Sequence, residues 1–138
     1  MNTKETITVE TFVKVPIAKV WEFWTKPEHI TQWNNASEDW QTTRAENDLQ
    51  IGGKFLSRME AKDGSFGFDF EGIYDEVLTN EKISFTLLDD RKVTITFLQT
   101  DNGVLITETF EAETENTLEL QKFGWQAILN NFKNYVEK

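Results

Sequence analysis

The chain has 138 residues, no cysteine, and 24 acidic against 14 basic side chains, for a formal net charge of −10. That length fits one domain, residues 1–138, able to bury a core without staples; the missing thiols exclude disulfides, thiol catalysis and cysteine zinc sites and fit a reducing compartment. The acidic surface repels nucleic acid and anionic membranes, no apolar run approaches the ~20 residues of a membrane span, and Met1 to Glu10 does not read as a signal peptide, so the expectation is a cytoplasmic protein with no nucleic-acid partner and no membrane insertion.

Ile7, Val9, Thr11 and Val13 alternate with Thr8, Glu10 and Phe12, a period of two that predicts a first strand. Pro16 ends it and suits the first turn of a short helix bearing Val20, Trp21 and Trp24. Pro27 stops that helix and opens a second, with Ile30 and Trp33 on one side. The polar stretch from Asn34 to Gln50 holds one modest strand around Trp40 to Ala45. Gly52-Gly53 makes a turn or bulge, and from there the pattern is strand and hairpin.

Asp63-Gly64 reads as a two-residue hairpin turn with both centres at positive φ. It pairs Ala61 with Phe66, Met59 with Phe68 and Ser57 with Phe70 on an apolar face. The other face sets Arg58 across from Asp69, with Glu60 and Glu71 beside them as solvated cross-strand pairs or a partner-binding surface. The next bend falls near Asn80. A three-residue loop at Asp89-Asp90-Arg91 would put Phe85 opposite Ile95 and Leu87 opposite Val93; a two-residue loop would set Phe85 against Thr94 and spoil the face. Asn102-Gly103, again a two-residue turn, puts Phe97 opposite Glu108 and Ile95 opposite Phe110.

A helix from about Thr117 to Val136 closes the chain. Asn116 followed by Glu119 resembles a capping box, and at ~1.5 Å per residue the helix runs roughly 30 Å. Its main stripe is Leu118, Gln121, Trp125, Leu129, Phe132 and Val136. A second stripe of Leu120, Phe123 and Ala127 packs under a loop or makes a weak homodimer contact, the loop being favoured. The elements add up to an α+β fold: a curved antiparallel sheet whose concealed face is covered by the long C-terminal helix.

That order of strand, two helices, six strands and long helix resembles the helix-grip fold of the START-like (SRPBCC) superfamily. The resemblance sharpens in Val20-Trp21-Glu22-Phe23-Trp24-Thr25-Lys26-Pro27-Glu28-His29-Ile30 with Trp33, and in Gly52-Gly53-Lys54-Phe55. It continues through Arg58-Met59-Glu60-Ala61-Lys62-Asp63-Gly64-Ser65 and Gly124-Trp125-Gln126-Ala127-Ile128-Leu129. Together these look like the bacterial branch named after the activator of heat shock protein 90 ATPase homologue. Superfamily relatives bind lipids, hormones or polyketides under the long helix, and a few catalyse cyclisation or hydrolysis there. The resemblance thus implies a cavity and leaves its use open.

Eleven Phe and five Trp exceed what a close-packed core of this size needs, although each ring alone reads equally as core. The residues expected around a cavity are Trp24, Trp33, Phe55, Met59, Phe68, Phe70 and Phe85. Ile95, Phe97, Glu108, Phe110, Gln121, Trp125 and Leu129 complete the set. Glu108 shares its parity with Ile106 and Phe110, so it points to the apolar face, where a carboxylate must be paired, hydrated or protonated. Burial would raise its pKa and equip it as a general acid or base, or as an anchor for a ligand donor. A bulge would instead turn Leu105 and Thr107 inward. Gln121 on the helix could be its partner.

His29, the only histidine, reads as a surface or capping residue. Without a histidine cluster, an HExxH or EF-hand pattern, or a phosphate loop, neither metal nor cofactor is expected. Three functions remain in view. The first is binding of a small hydrophobic molecule, the second an enzyme of cyclase or hydrolase type built on Glu108, and the third a chaperone-interaction module.

Overall fold

The structure, a computed structural model, describes residues 5–138; Met1 to Lys4, the start of the segment read above as no signal peptide, lie outside the described residues. The elements are β1 (Thr6–Val13), α1 (Ile17–Thr25), α2 (Pro27–Trp33), β2 (Trp40–Asn47), β3 (Lys54–Ala61), β4 (Gly67–Leu78), β5 (Lys82–Leu87), β6 (Lys92–Thr100), β7 (Gly103–Glu111) and α3 (Leu118–Val136). The strands form one antiparallel sheet in the order β1-β7-β6-β5-β4-β3-β2. From β2 onward each strand pairs with the next, which needs only hairpins. β1 closes the far side by pairing with β7, setting Val9 across from Glu108 and Val13 across from Val104. To begin β2 the chain must cross from one edge of the sheet to the other, and α1 and α2 make that crossing. With α3 laid against the concave face, this is the expected α+β helix-grip fold. Among the described residues no helix is long and apolar enough to cross a membrane.

Strand faces follow the sequence, while two registers and the turns that set them do not. β3 and β4 pair Met59 with Phe68, Ser57 with Phe70 and Arg58 with Asp69, as expected. Their turn is wider than two residues. Gly64 has a positive φ and Asp63 does not, Gly64 N–H donates to the Ala61 carbonyl, and Ser65 N–H donates to the Asp63 carboxylate at 2.9 Å. Between β5 and β6, Phe85 faces Val93 and Ile83 faces Ile95. The three-residue loop is Leu88-Asp89-Asp90, closed by Leu87 N–H on the Arg91 carbonyl, with Asp90 taking the left-handed conformation. Between β6 and β7 the turn centres on Asp101-Asn102, pairing Ile95 with Glu108 and Phe97 with Ile106. Both registers differ from expectation by two residues. Because side chains alternate with a period of two, the faces are unchanged.

The outer face carries the charged set. Arg58 reaches Glu60 at 3.0 Å and Asp69 at 3.3 Å, half-exposed pairs worth little in stability.

Four expectations for the helices are corrected. Thr117, not Asn116, caps α3: its hydroxyl accepts from Leu120 N–H at 3.1 Å, while Asn116 N–H donates to the Glu113 carboxylate. Leu118 is exposed and lies outside the buried stripe, which runs through Gln121, Leu129, Phe132 and Val136. Leu120 and Phe123 are 57% and 74% exposed, so no loop covers the second stripe. His29 is neither a surface nor a capping residue. It is half-buried, stacks on Phe23 at 3.8 Å and shares a 2.8 Å hydrogen bond between Nδ1 and the Tyr135 hydroxyl, tying α2 to α3.

The cap assignment is testable by urea unfolding. Thr117→Ala is expected to cost about 1 kcal/mol, the usual loss for a hydroxyl N-cap, and Asn116→Ala only a few tenths. The reverse order would restore Asn116 as the cap.

Candidate functional site

The α3 stripe does not fill the space it covers. Towards the C-terminal end, Leu129, Phe132 and Val136 are almost fully buried, and Phe132 packs edge-on against both Trp24 and Trp33 at 4.9 Å. Towards the N-terminal end, Trp125 lies flat on Phe110 at 3.9 Å. Between these two aromatic clusters, over β3 to β5, a cavity of about 230 Å³ remains.

Ten of the residues expected around a cavity do line it: Trp24, Trp33, Phe55, Met59, Phe68, Phe70, Phe85, Ile95, Glu108 and Trp125. Phe55 lies over Gly72, where an added Cβ would meet its ring at 3.0 Å, so the glycine lets that ring reach the cavity wall. Four expected residues are elsewhere. Phe97 packs against Trp21 and Trp24, Phe110 is covered by Trp125, and Leu129 is in the close-packed core. Gln121 is not a partner of Glu108. Its side-chain amide donates to the Glu113 and Asn116 carbonyls and accepts from Glu113 N–H, pinning the loop before α3.

Lining residues that sequence reasoning missed include Ile30, Asn34, Glu46, Asn47, Ser57, Tyr74, Ile83 and Ile128. Ser57, Tyr74 and Ile83 were accessible to it, because they share strand parity with Met59, Phe70 and Phe85. The others come from elements that fold over the sheet, where no periodicity points to a shared space. The polar ones are partly spent on structure: the Tyr74 hydroxyl donates to Asn47 Oδ1, and Asn47 Nδ2 donates to the Thr25 carbonyl at 2.6 Å. Burial holds the Tyr74 phenol well above its ordinary pKa.

Glu108 differs from these. It is 8% exposed and faces the cavity from β7, with Val9 and Ile95 on either side. Burial alone pushes its carboxyl up to about 8, with no hydrogen bond or nearby cation to offset it. No fully enclosed side-chain oxygen or nitrogen among the described residues lacks a partner, so the Glu108 oxygens open onto the cavity rather than into packed protein. Leu105 and Thr107 keep the opposite parity and no bulge interrupts the β6–β7 ladder here. Chemically, the arrangement is one protonatable carboxyl in an apolar, aromatic enclosure. No group of three or more His, Cys, Asp or Glu among the described residues is placed to hold a metal ion.

Residues 14–137 match the family described as Activator of Hsp90 ATPase homolog 1-like protein. The chain belongs to this family. Among solved structures, an AHSA1-like protein from Aeromonas hydrophila is 44% identical, with 96% of this chain and 92% of that one covered, at a TM-score of 0.91. A protein from Cytophaga hutchinsonii is 51% identical over the same shares of the two chains, at a TM-score of 0.84. One from Chromobacterium violaceum shares the fold at 23% identity, covering 97% of this chain and 99% of that one, with a TM-score of 0.86. No curated protein matches.

The Glu108 environment predicts a pH dependence. A carboxyl whose folded pKa is raised is favoured in its protonated form. Its contribution to stability is therefore full below the ordinary value of 4.5, declines as pH rises, and is lost once the folded value of about 8 is passed. Glu108→Gln imitates the protonated state. It is expected to match the wild type near pH 4 and to exceed it by on the order of a few kcal/mol above pH 8, measured by urea unfolding across pH. Parallel curves with no widening gap would mean that the carboxylate is hydrated.

Proposed function

We propose that this protein binds a small apolar molecule in the cavity between α3 and the sheet. The observation that carries the reading is an open space of about 230 Å³ inside an otherwise close-packed interior, walled by eight aromatic rings. That is the volume of roughly eight waters, so the occupant is a one- or two-ring compound or a short acyl chain. Membership of a helix-grip family supports a ligand-binding or chaperone-associated module at a coarse level, and the unfilled interior favours the ligand.

The enzyme reading has less support. A hydrolase or cyclase would need a second group beside Glu108 to position water or polarise a carbonyl. Tyr74, the other titratable group deep in the cavity, is committed to Asn47. The chaperone reading rests on the family description alone.

A panel of neutral one- and two-ring compounds and short acyl amides tests the proposal through melting temperature and tryptophan fluorescence. Trp24, Trp33 and Trp125 all border the cavity and would report occupancy. Binding to the native state stabilises it by about 2.7 kcal/mol at a hundredfold excess over Kd. Ser57→Met, which fills the cavity from β3, is expected to fold and to lose the response. No shift with any compound, or an equal shift in Ser57→Met, would overturn the reading.

A further inference from the structure

We propose that the cavity selects small aromatic or alkyl amines, bound as ammonium ions between Glu108 and the surrounding ring faces. This rests on the proposed binding function and names the chemistry of the ligand. Three observations converge on a cation. First, Glu108 is almost fully buried, faces the cavity and has no hydrogen-bond partner or cation among the described residues. It is a carboxyl left open deep in the site, whereas the Tyr74 hydroxyl and the Asn47 amide are paired internally. Second, no Lys, Arg or His lines the cavity. Its other titratable groups are Glu46 on β2 and Tyr74 on β4. α1, α2, α3, β3, β5 and β6 contribute none, and β1 does not reach it. Glu46 is exposed and paired with Arg44 at 3.2 Å, at the edge of the space rather than within it. His29 is turned away towards Phe23 and Tyr135.

Third, the walls are aromatic. The rings of Trp125, Phe70, Phe55 and Phe85 line the space that Glu108 overlooks, and a ring face turned to a desolvated cation attracts it more strongly than it does a neutral group. An anionic ligand would meet Glu108 with no cation to hold it. A neutral alcohol could use the rings and hydrogen-bond the carboxyl but would gain nothing from its charge. An ammonium satisfies both, and the chain's net charge of −10 concentrates such cations around the protein.

Binding then carries a proton signature. In the empty cavity burial keeps Glu108 protonated up to about pH 8. An ammonium binds the carboxylate, so the carboxyl proton leaves to solvent as the ion pair forms: one proton is released, and no bond in the ligand changes. Affinity for the amine should therefore rise with pH below about 8 and level off as Glu108 becomes ionised without it.

The experiment compares 2-phenylethylamine, 2-phenylethanol and phenylacetate by calorimetry near neutral pH, in buffers of different ionisation enthalpy. The amine is expected to bind at least about tenfold tighter than the alcohol, as a charge-assisted hydrogen bond warrants, and phenylacetate not to bind. Binding of the amine should release close to one proton, a readout that a merely structural glutamate would not give. Glu108→Gln is expected to abolish the proton release and the preference for the amine while retaining the alcohol. If the alcohol binds as well as the amine, or if no proton is released, the amine inference fails and the binding function stands. If none of the three compounds nor any of the neutral panel binds, the binding function itself fails.

Discussion

The docking of the last turns of α3 fixes where everything else sits. Leu129, Phe132 and Val136 are buried to 1% or less, at the point where the helix meets Trp24 of α1 and Trp33 of α2. Burial of this kind stabilises by roughly 1.5–3 kcal/mol per large side chain, and His29 adds a polar tie from α2 to Tyr135. The N-terminal half of the helix is held differently, by Gln121 on the Glu113–Asn116 loop and by Trp125 on Phe110. Leu118, Leu120 and Phe123 are exposed, and Trp125 is half-buried. A straight helix held at both ends cannot follow a curved sheet between them, and the cavity is the gap that results.

The gap persists because its walls are stiff. A Leu or Met in place of Trp125 could swing into empty space at the cost of a rotamer change. Trp125 is held by a stack on Phe110 and an edge contact with Phe70, and Phe55 is wedged between Gly72, Tyr74 and Phe85. Flat rings with two torsions each, locked against one another, have few ways to collapse inward. The excess of aromatics over what a core requires is therefore spent on keeping a space open.

Much of this was legible in the sequence because strand parity is robust. Two hairpin registers differ from expectation by two residues, since Asp90 rather than a glycine takes the left-handed position and Asp101-Asn102 rather than Asn102-Gly103 centres the last turn. A slip of two returns every side chain to its own face, so Glu108, Phe85 and Ile95 still point inward. A slip of one would have expelled all three. Helix periodicity was a poorer guide to the site. It placed Gln121 on the correct stripe of α3, but the stripe outlasts the cavity at both ends: Gln121 serves the Glu113–Asn116 loop, and Leu129 the core. The contributions of Ile30, Asn34 and Asn47 were illegible because they depend on how α2 and the β2 edge close over the sheet. No local pattern encodes that.

Glu108 is the point at which stability and the proposed use part company. An apolar residue would suit its position on β7 between Ile106 and Phe110 better, since an ionised carboxylate there lacks any internal partner. Natural interiors leave very few polar groups in that condition. Tyr74, Asn47, Thr42 and Gln121, by contrast, are each satisfied by a neighbour. Under the proposed binding function, the carboxyl that faces the aromatic-lined cavity takes its partner from the ligand. What the proposed ligand would then have to supply follows from the cavity itself: a hydrogen-bond donor facing Glu108 and a body apolar enough to leave water for the aromatic walls.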